Sequence, residues 1–505
     1  MKKLAVLAVE AAIRRRTAQL EESGRDPAAS QSRLLRGLLG RAAATRLGRK
    51  HGFSKIRTPE EYRSAVPLAD YETASPEWHE AFEGARDVTW PGHVRYFALS
   101  SGTTAGNKLL PVTREAIASN KRSGAALLAF MARRVGAETI LDGKFFYLGG
   151  STSLRKRGRS LYGDASGIMG RHIPFYAHGR YLPEADIACV ADWERKIRMI
   201  VERYLTSRVR VLSACPSWAA LLFKEMIASG GGNAGTLWPD FACFVSYGMA
   251  FEPYGKSFEE YIGRRIAYMD TYSSSEAGMT AIQEEPGGPL RMLVDNGVYY
   301  EFIPAERAGD AKAPRLHFGE VETGRDYALV VSTNGGIWAY PLGDVIRFES
   351  VQPPRVRFAG RTRIGLSAFG EHVTLEMMEK AVGKACEKTG AVLSDYTVWP
   401  RYPSVEEPVP VHRWIFEFDS PPGNESEFMK TVDSEIRARS EDYDTHRRGD
   451  YGLRPPVMIT VSPGTFYEWM KEKGKLGGQH KVPRVARSDA MAEELLKISD
   501  RRVIR

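Results

Sequence analysis

Apolar residues recur at helical spacing through the first hundred positions: Leu4, Leu7, Ala8, Ala11 and Ala12 form one stripe, and Leu34, Leu35, Leu38 and Leu39 another. This predicts a mostly helical opening. Val94 to Leu99 then reads as a strand, and Thr113, just after Pro111, opens a helical pattern. Further on, strands at Phe145 to Leu148 and Val209 to Leu212 alternate with helices at Trp218 to Ile227 and Phe258 to Ile262. Such alternation predicts a largely parallel sheet covered by helices, with phosphate-bearing ligands at the carboxyl ends of its strands. From Val298 the texture changes to closely spaced strands: Tyr327 to Ser332, Ile337 to Tyr340, Val345 to Phe348 and Val356 to Phe358. A meander or small β-barrel is expected there. Met377, Met378, Ala381, Val382 and Ala385 mark a later helix, followed by strands at Trp414 to Phe418 and Val457 to Val461. The expected class is therefore α/β, with a large N-terminal domain over residues 1–360 and a smaller α+β domain over 361–505.

The chain has 505 residues, enough for both domains to hold ample cores. Its formal charge of +9 raises the question of nucleic acid, but the basic residues are interspersed with acids and make no long run. Arg14-Arg15-Arg16 and Arg155-Lys156-Arg157 read as solvated faces. A positive field also suits anionic small molecules. Cys189, Cys215, Cys243 and Cys386 each stand alone in apolar settings, which reads as buried free thiols in a reducing compartment rather than disulfides or zinc ligands. The opening Met1 to Val9 superficially resembles a secretory signal, but Glu10 cuts the apolar run and three arginines follow. Nothing else approaches the length of a membrane span. The expectation is a cytoplasmic enzyme with neither membrane nor nucleic acid as partner.

The densest chemistry lies in Leu99-Ser100-Ser101-Gly102-Thr103-Thr104-Ala105-Gly106-Asn107-Lys108. Hydroxyls and glycine-freed N–H groups there can surround a polyphosphate, and one ammonium can offset its charge. It is not a Walker A loop, because no glycine directly precedes Lys108 and no Ser or Thr follows it. An ordinary Ser/Thr/Gly surface turn is the competing reading. Gly230 to Gly235 matches GxGxxG by letter, but it follows a helix and leads into Leu237-Trp238-Pro239, so it reads as a loop.

Two later segments shift the balance: Asp270-Thr271-Tyr272-Ser273-Ser274-Ser275-Glu276 and Tyr340-Pro341-Leu342-Gly343-Asp344-Val345. In this order, the three segments resemble the ATP-binding signatures of the adenylate-forming superfamily of acyl-CoA synthetases, adenylation domains and luciferases. More closely, the chain resembles the auxin-responsive acyl acid amido synthetases of plants and their bacterial relatives. The likeness extends through Thr45 to Phe53, Val66 to Glu72, Tyr300 to Pro304, Pro463 to Phe466 and Gly478 to Arg484.

The resemblance implies ATP-dependent activation of a carboxylic acid as an acyl-adenylate, with release of pyrophosphate and transfer to an amine such as an amino acid. Ser100, Ser101, Thr103 and Thr104 would hold the β- and γ-phosphates, with Lys108 as a supporting charge. Tyr272 offers a face for adenine, Ser275 a hydroxyl for phosphate and Glu276 a carboxylate for Mg2+; a core aromatic and a surface acid are the alternatives for Tyr272 and Glu276. Asp344 can accept both ribose hydroxyls. Pro341 stands where the family usually has arginine, which removes a charge and a backbone donor. Arg361 and Arg363 read equally as ribose or phosphate contacts at a hinge and as exposed strand-end charges. Lys481, between glycines and a proline, is the candidate mobile catalytic lysine of a C-terminal domain that rotates about the hinge; a solvated loop lysine is the alternative. His372, where plant relatives commonly carry lysine, could touch pyrophosphate or cap the helix beginning near Thr374. Gly248 and Met249, the Gly149 to Thr152 segment and the helix after Thr113 are candidates for the acyl pocket. Thioester formation on coenzyme A or a carrier protein is the rival reaction, and a non-catalytic nucleotide sensor the rival class.

Overall fold

The computed structural model describes residues 2–100, 108–173, 175–248, 251, 255–310, 312–362, 365–404, 407–473, 482–486 and 488–503. They fall into two compact units, one built from Met1–Ser100 with Lys108–Thr362 and one containing Arg363–Arg505. No helix among the described residues is long and apolar enough to cross a membrane.

The first unit opens on helices Lys2–Arg25 and Pro27–Ala42. The second starts where its sequence says it should. Asp26 caps it by accepting from the Ala29 amide at 2.9 Å, Pro27 occupies the first turn without wasting a donor, and Leu35, Leu38 and Leu39 turn inward onto Phe53, Tyr62 and Trp338. Burying one such leucine stabilises the unit by about 1.5–3 kcal/mol. The stripe on the first helix behaves differently: Leu7, Ala11 and Ala12 are exposed, and the side chains of Leu4 and Ala8 lie outside the described residues. This helix is anchored instead by buried Leu20 and by Arg16, whose guanidinium donates to both oxygens of Asp295 at 2.5 and 3.0 Å.

The strands, in chain order, are β1 (Tyr96–Ser100), β2 (Lys108–Val112), β3 (Lys144–Leu148), β4 (Arg155–Arg157), β5 (Ser160–Asp164), β6 (Tyr181–Leu182), β7 (Val209–Ala214), β8 (Cys243–Ser246), β9 (Ala267–Ser274) and β10 (Gly278–Gln283), then β11 (Leu290–Met292), β12 (Val298–Pro304), β13 (Asp326–Thr333), β14 (Ile337–Val351) and β15 (Pro354–Arg361). Among the described residues β1, β2, β4 and β5 make a small sheet in the order β2-β1-β5-β4, in which β1 and β2 form an antiparallel pair. Strand β2 contains Pro111, and no element is assigned to it from sequence. It is tolerated as a strand because β2 lies at the sheet edge, where a missing N–H costs no ladder bond.

The larger sheet runs β12-β13-β14-β15-β11-β10-β9-β8-β7-β3-β6. Its β9-β8-β7-β3-β6 portion is parallel, as the alternation predicts. The expected meander is β12 to β15, antiparallel throughout and joined through β11 and β10 to the parallel block rather than standing apart. Helix Arg114–Val135 covers the sheet with Ala126, Phe130 and Met131 against Val211, Val245 and Met269. Its entry is fixed by Thr113, which accepts from the Ala116 amide at 3.0 Å while donating to the Asn334 carbonyl at 2.6 Å.

Strand β14 merges two segments that read separately in the sequence, because two bulges absorb the interruption. Near Ala339, whose φ of 46° is strained for a residue with a Cβ, the displaced amide donates to the Ser332 hydroxyl at 2.9 Å. Further on, Val330 faces Pro341 while Ala328 faces Val345, so β14 spends two extra residues around Gly343, at a φ of 82°. The Gly230 to Gly235 segment is the expected loop: Gly231 ends one helix and Asn233 caps the next.

The second unit is α+β. Three further strands, Val392–Arg401, Val411–Ser420 and Val457–Val461, pack with helix Leu375–Thr389, whose predicted stripe Met377, Met378, Ala381, Val382 and Ala385 is buried. Thr374, not His372, caps that helix by accepting from the Met377 amide at 3.3 Å. His372 instead sits at a positive φ of 44° with its Nδ1 2.9 Å from the Ser367 hydroxyl. Of the cysteines, Cys243 is buried, and burial pushes its thiol up to about 12, whereas Cys189 is exposed because its short helix turns Ile187 inward instead.

Candidate active site

The centre of the site is a contact that no linear reading contains. The Tyr272 phenol on β9 donates to Asp344 Oδ2 on β14 at 2.5 Å. Three strands lie between these two in the sheet order, so on a flat sheet the backbones would be about 19 Å apart. Their meeting means that the sheet curls around a concave face. Phe358 on β15 lies on the same curl, its ring 6.4 Å from that of Tyr272. The bulge at Gly343 re-aims Asp344 into this concavity, a recurrent use of bulges beside functional sites. Asp344 is 6 % exposed, so its carboxylate acts where water screens little.

Lys108 joins the same strand four residues upstream. Its ammonium donates to the Tyr340 hydroxyl at 3.0 Å and lies 5.7 Å from the ring centres of both Tyr340 and Tyr71. Tyr71 is fixed in turn, its hydroxyl accepting from the Leu109 amide at 2.9 Å, and Trp78 packs against both tyrosines at 5.8 Å. β14 thus brings Lys108, Tyr272 and Asp344 to one region. Arg361 faces Asp344 across the β14–β15 ladder in the backbone register. Tyr71, Tyr340 and Phe358 carry this arrangement without having been singled out; Tyr71 and Tyr340 lay inside the recognisable segments, and only the fold turns them toward Lys108.

Ser100 ends β1 and pairs with Lys108, so the two bracket the glycine-rich segment. Ser101, Thr103 and Thr104 lie outside the described residues, as do Met249, Arg363 and Lys481. Ser275 and Glu276 occupy the turn after β9, half-buried, with the Ser274 hydroxyl closing the turn by accepting from the Ala277 amide at 3.1 Å. No group of three or more His, Cys, Asp or Glu side chains among the described residues could hold a metal by itself. A carboxylate such as Glu276 fits Mg2+ as one ligand beside phosphate oxygens and water.

The proposed acyl segments sit at the carboxyl edge of the parallel block. Gly248 follows β8 at a φ of 83° with open space where a Cβ would be, so glycine serves the backbone turn there rather than close packing. Nearby, the Tyr247 hydroxyl donates to the Leu148 carbonyl at 2.6 Å, and its ring lies 5.9 Å from Tyr147. Burial raises both phenols, that of Tyr147 to about 12. The segment after β3 is held by Lys196, whose ammonium donates to the Gly149 and Gly150 carbonyls at 2.9 and 3.3 Å. Lys196 is 2 % exposed, and burial lowers its pKa to about 8. The signal was present in the sequence: Lys196 falls on the apolar stripe of Ile197, Ile200, Val201 and Tyr204 in helix Trp193–Tyr204.

The sheet with its parallel block and the smaller α+β unit share their fold with adenylate-forming ligases. The 2-hydroxyisobutyryl-CoA ligase crystallised with 2-HIB-AMP and CoA superposes with a TM-score of 0.56 at 13% identity, over 93% of this chain and 91% of that one. The chain belongs to the GH3 family of acyl acid amido synthetases: residues 16–180 match the GH3 family N-terminal domain, 291–361 the central domain and 376–490 the C-terminal domain. AtGH3.15 acyl acid amido synthetase, solved in complex with 2,4-DB, covers 96% of each chain with a TM-score of 0.60 and 19% identity. Indole-3-acetic acid-amido synthetase GH3.8 of Oryza sativa subsp. indica is 24% identical over 90% of this chain and 88% of its own length.

Proposed function

We propose that this chain uses ATP and Mg2+ to join a small carboxylic acid to the amine of an amino acid. The observation that carries the reading is the junction of Tyr272 and Asp344 on the curled sheet beside Lys108, in a chain of this family. A substrate carboxylate oxygen attacks the α-phosphorus, the bond to the bridging oxygen breaks, and pyrophosphate leaves. The amine nitrogen then attacks the acyl carbon, AMP departs, and the amine loses a proton.

Carboxylates are weak nucleophiles and triphosphates repel them, so alignment and charge neutralisation do most of the work. Asp344 would accept the ribose hydroxyls, Tyr272 would hold that carboxylate and give adenine an aromatic wall, and Lys108 with the Ser100 to Thr104 hydroxyls would bear on the β- and γ-phosphates. Ser275 would donate to phosphate and Glu276 would hold Mg2+, which supplies charge neutralisation when bound. Residues 1–360 would bind ATP and acid, and residues 361–505 would form the mobile domain that brings Lys481 to the adenylation step. The free thiols of the four cysteines fit a reducing, cytoplasmic setting.

The test is acid-dependent pyrophosphate release with a panel of aryl and aliphatic acids, each crossed with amino acids, coenzyme A and no acceptor. Turnover that needs an amino acid and yields an amide is expected. Turnover with coenzyme A alone would move the chain to the thioester ligases, and ATP binding without release for every acid would favour a sensor.

A further inference from the structure

At the end of the β1–β2 hairpin remote from the glycine-rich segment lies a cleft of about 550 Å3 that the proposed reaction does not use. Tyr96 and Val112 pair at that end and line the cleft, whereas Ser100 and Lys108 pair at the other. The extended strands put about 14 Å between the two ends.

The cleft is rimmed by Arg86, Arg95, Arg114 and Arg159, all exposed. Among the described residues none of the four makes an ion pair, and the cleft gathers all four along one lining. The carboxylate in the lining, Glu115, does not compensate them. It is already paired with Arg41 and accepts from the Trp90 indole at 3.2 Å. His93, also in the lining, keeps a buried Nε2 with no hydrogen-bond partner among the described residues. The 22-residue helix Arg114–Val135 begins here, and the positive end of its dipole adds to the field. Beneath the rim the floor is apolar, from buried Val94, Val112 and Trp90.

We propose that this cleft binds a small organic phosphate, a phosphomonoester or diphosphate on an aryl or alkyl body. Four guanidiniums without ion pairs exceed what one carboxylate would neutralise, and their planar forks donate to phosphate oxygens in pairs. The apolar floor suits the body of the ligand, and the volume is of the order found in small-molecule sites, roughly 300–1,000 Å3.

Calorimetric titration of the full chain with phenyl phosphate tests this, with benzoate and a short DNA duplex as comparison ligands. Phenyl phosphate is expected to bind one site, more tightly than benzoate. Its affinity should persist in Lys108→Met, which disables the phosphate side of the ATP site, and fall roughly 10- to 100-fold in Arg95→Ala/Arg159→Ala. Thermal unfolding reports whether the double variant is folded; if it is not, the single exposed changes Arg95→Gln and Arg159→Gln carry the same comparison. Undiminished binding in the arginine variants, loss in Lys108→Met, benzoate binding as tightly, DNA binding without phenyl phosphate binding, or no binding at all would each overturn the proposal.

Discussion

Replacing Asp344 by asparagine probes the site with little disturbance to the fold. The side chain keeps its shape, and its amide oxygen can still accept from the Tyr272 phenol that now donates to Oδ2 at 2.5 Å. What changes is charge. A hydrogen bond to a carboxylate exceeds one to a neutral amide by about 1–1.5 kcal/mol, and the buried setting keeps that difference from being screened. Two ribose hydroxyls on one carboxylate make the loss about 2–3 kcal/mol, or roughly 30- to 150-fold in kcat/KM for ATP. The decisive assay repeats the measurement with 2′-deoxy-ATP and 3′-deoxy-ATP. Each analogue has already lost one of the two bonds, so Asp344→Asn should cost it only roughly 5- to 12-fold. If the variant loses the same factor with all three nucleotides, Asp344 does not read the ribose and its assignment fails. Asp344→Ala differs in a further way: it leaves the Tyr272 hydroxyl without this acceptor and should lower stability by about 1–3 kcal/mol, seen as a shifted urea midpoint.

Lys481→Ala should slow pyrophosphate release about 10²- to 10³-fold while leaving amide formation from a supplied acyl-adenylate nearly intact; equal loss in both half-reactions would refute a role confined to adenylation. Glu276→Gln should raise the Mg2+ concentration needed for half-maximal turnover at least about tenfold, and chelation with EDTA should arrest the parent enzyme, whereas an unchanged Mg2+ curve would remove Glu276 from the metal site. Lys196 makes stability depend on pH. Burial holds its folded-state pKa at about 8, below its ordinary 10.5, so between these values the unfolded chain binds more protons and folding gains stability as pH rises. The cost of keeping the buried ammonium charged, about 3 kcal/mol, is present below pH 8 and relieved toward pH 10.5. Urea denaturation of the parent and of Lys196→Met should therefore differ by an amount that moves in the parent's favour across this window; a constant difference would place the proton elsewhere.

Local patterns carried a large part of the fold because their physical causes are local. The stripe of Leu34, Leu35, Leu38 and Leu39, the run Val209 to Leu212 and the helix through Met377 and Ala385 follow from periodicity, which decides which side of an element can be buried. The segments that hold Lys108, Tyr272 and Asp344 likewise carried the resemblance to the family, since that depends on which residue types stand in which order. Burial and convergence did not yield to the same reasoning. Leu7 and Leu20 sit in one helix, yet the first is exposed and the second buried, because Leu20 lies where the helix meets a core cluster of the unit. Pro111 belongs to a strand because that strand is at an edge, and Lys196 is buried because two backbone carbonyls await its ammonium. Tyr272 and Asp344 lie 72 positions apart with three strands between them, and only the curl of the sheet closes that distance to a hydrogen bond. Residue type and spacing are written along the chain, whereas accessibility, partner and distance depend on groups brought together from far along it.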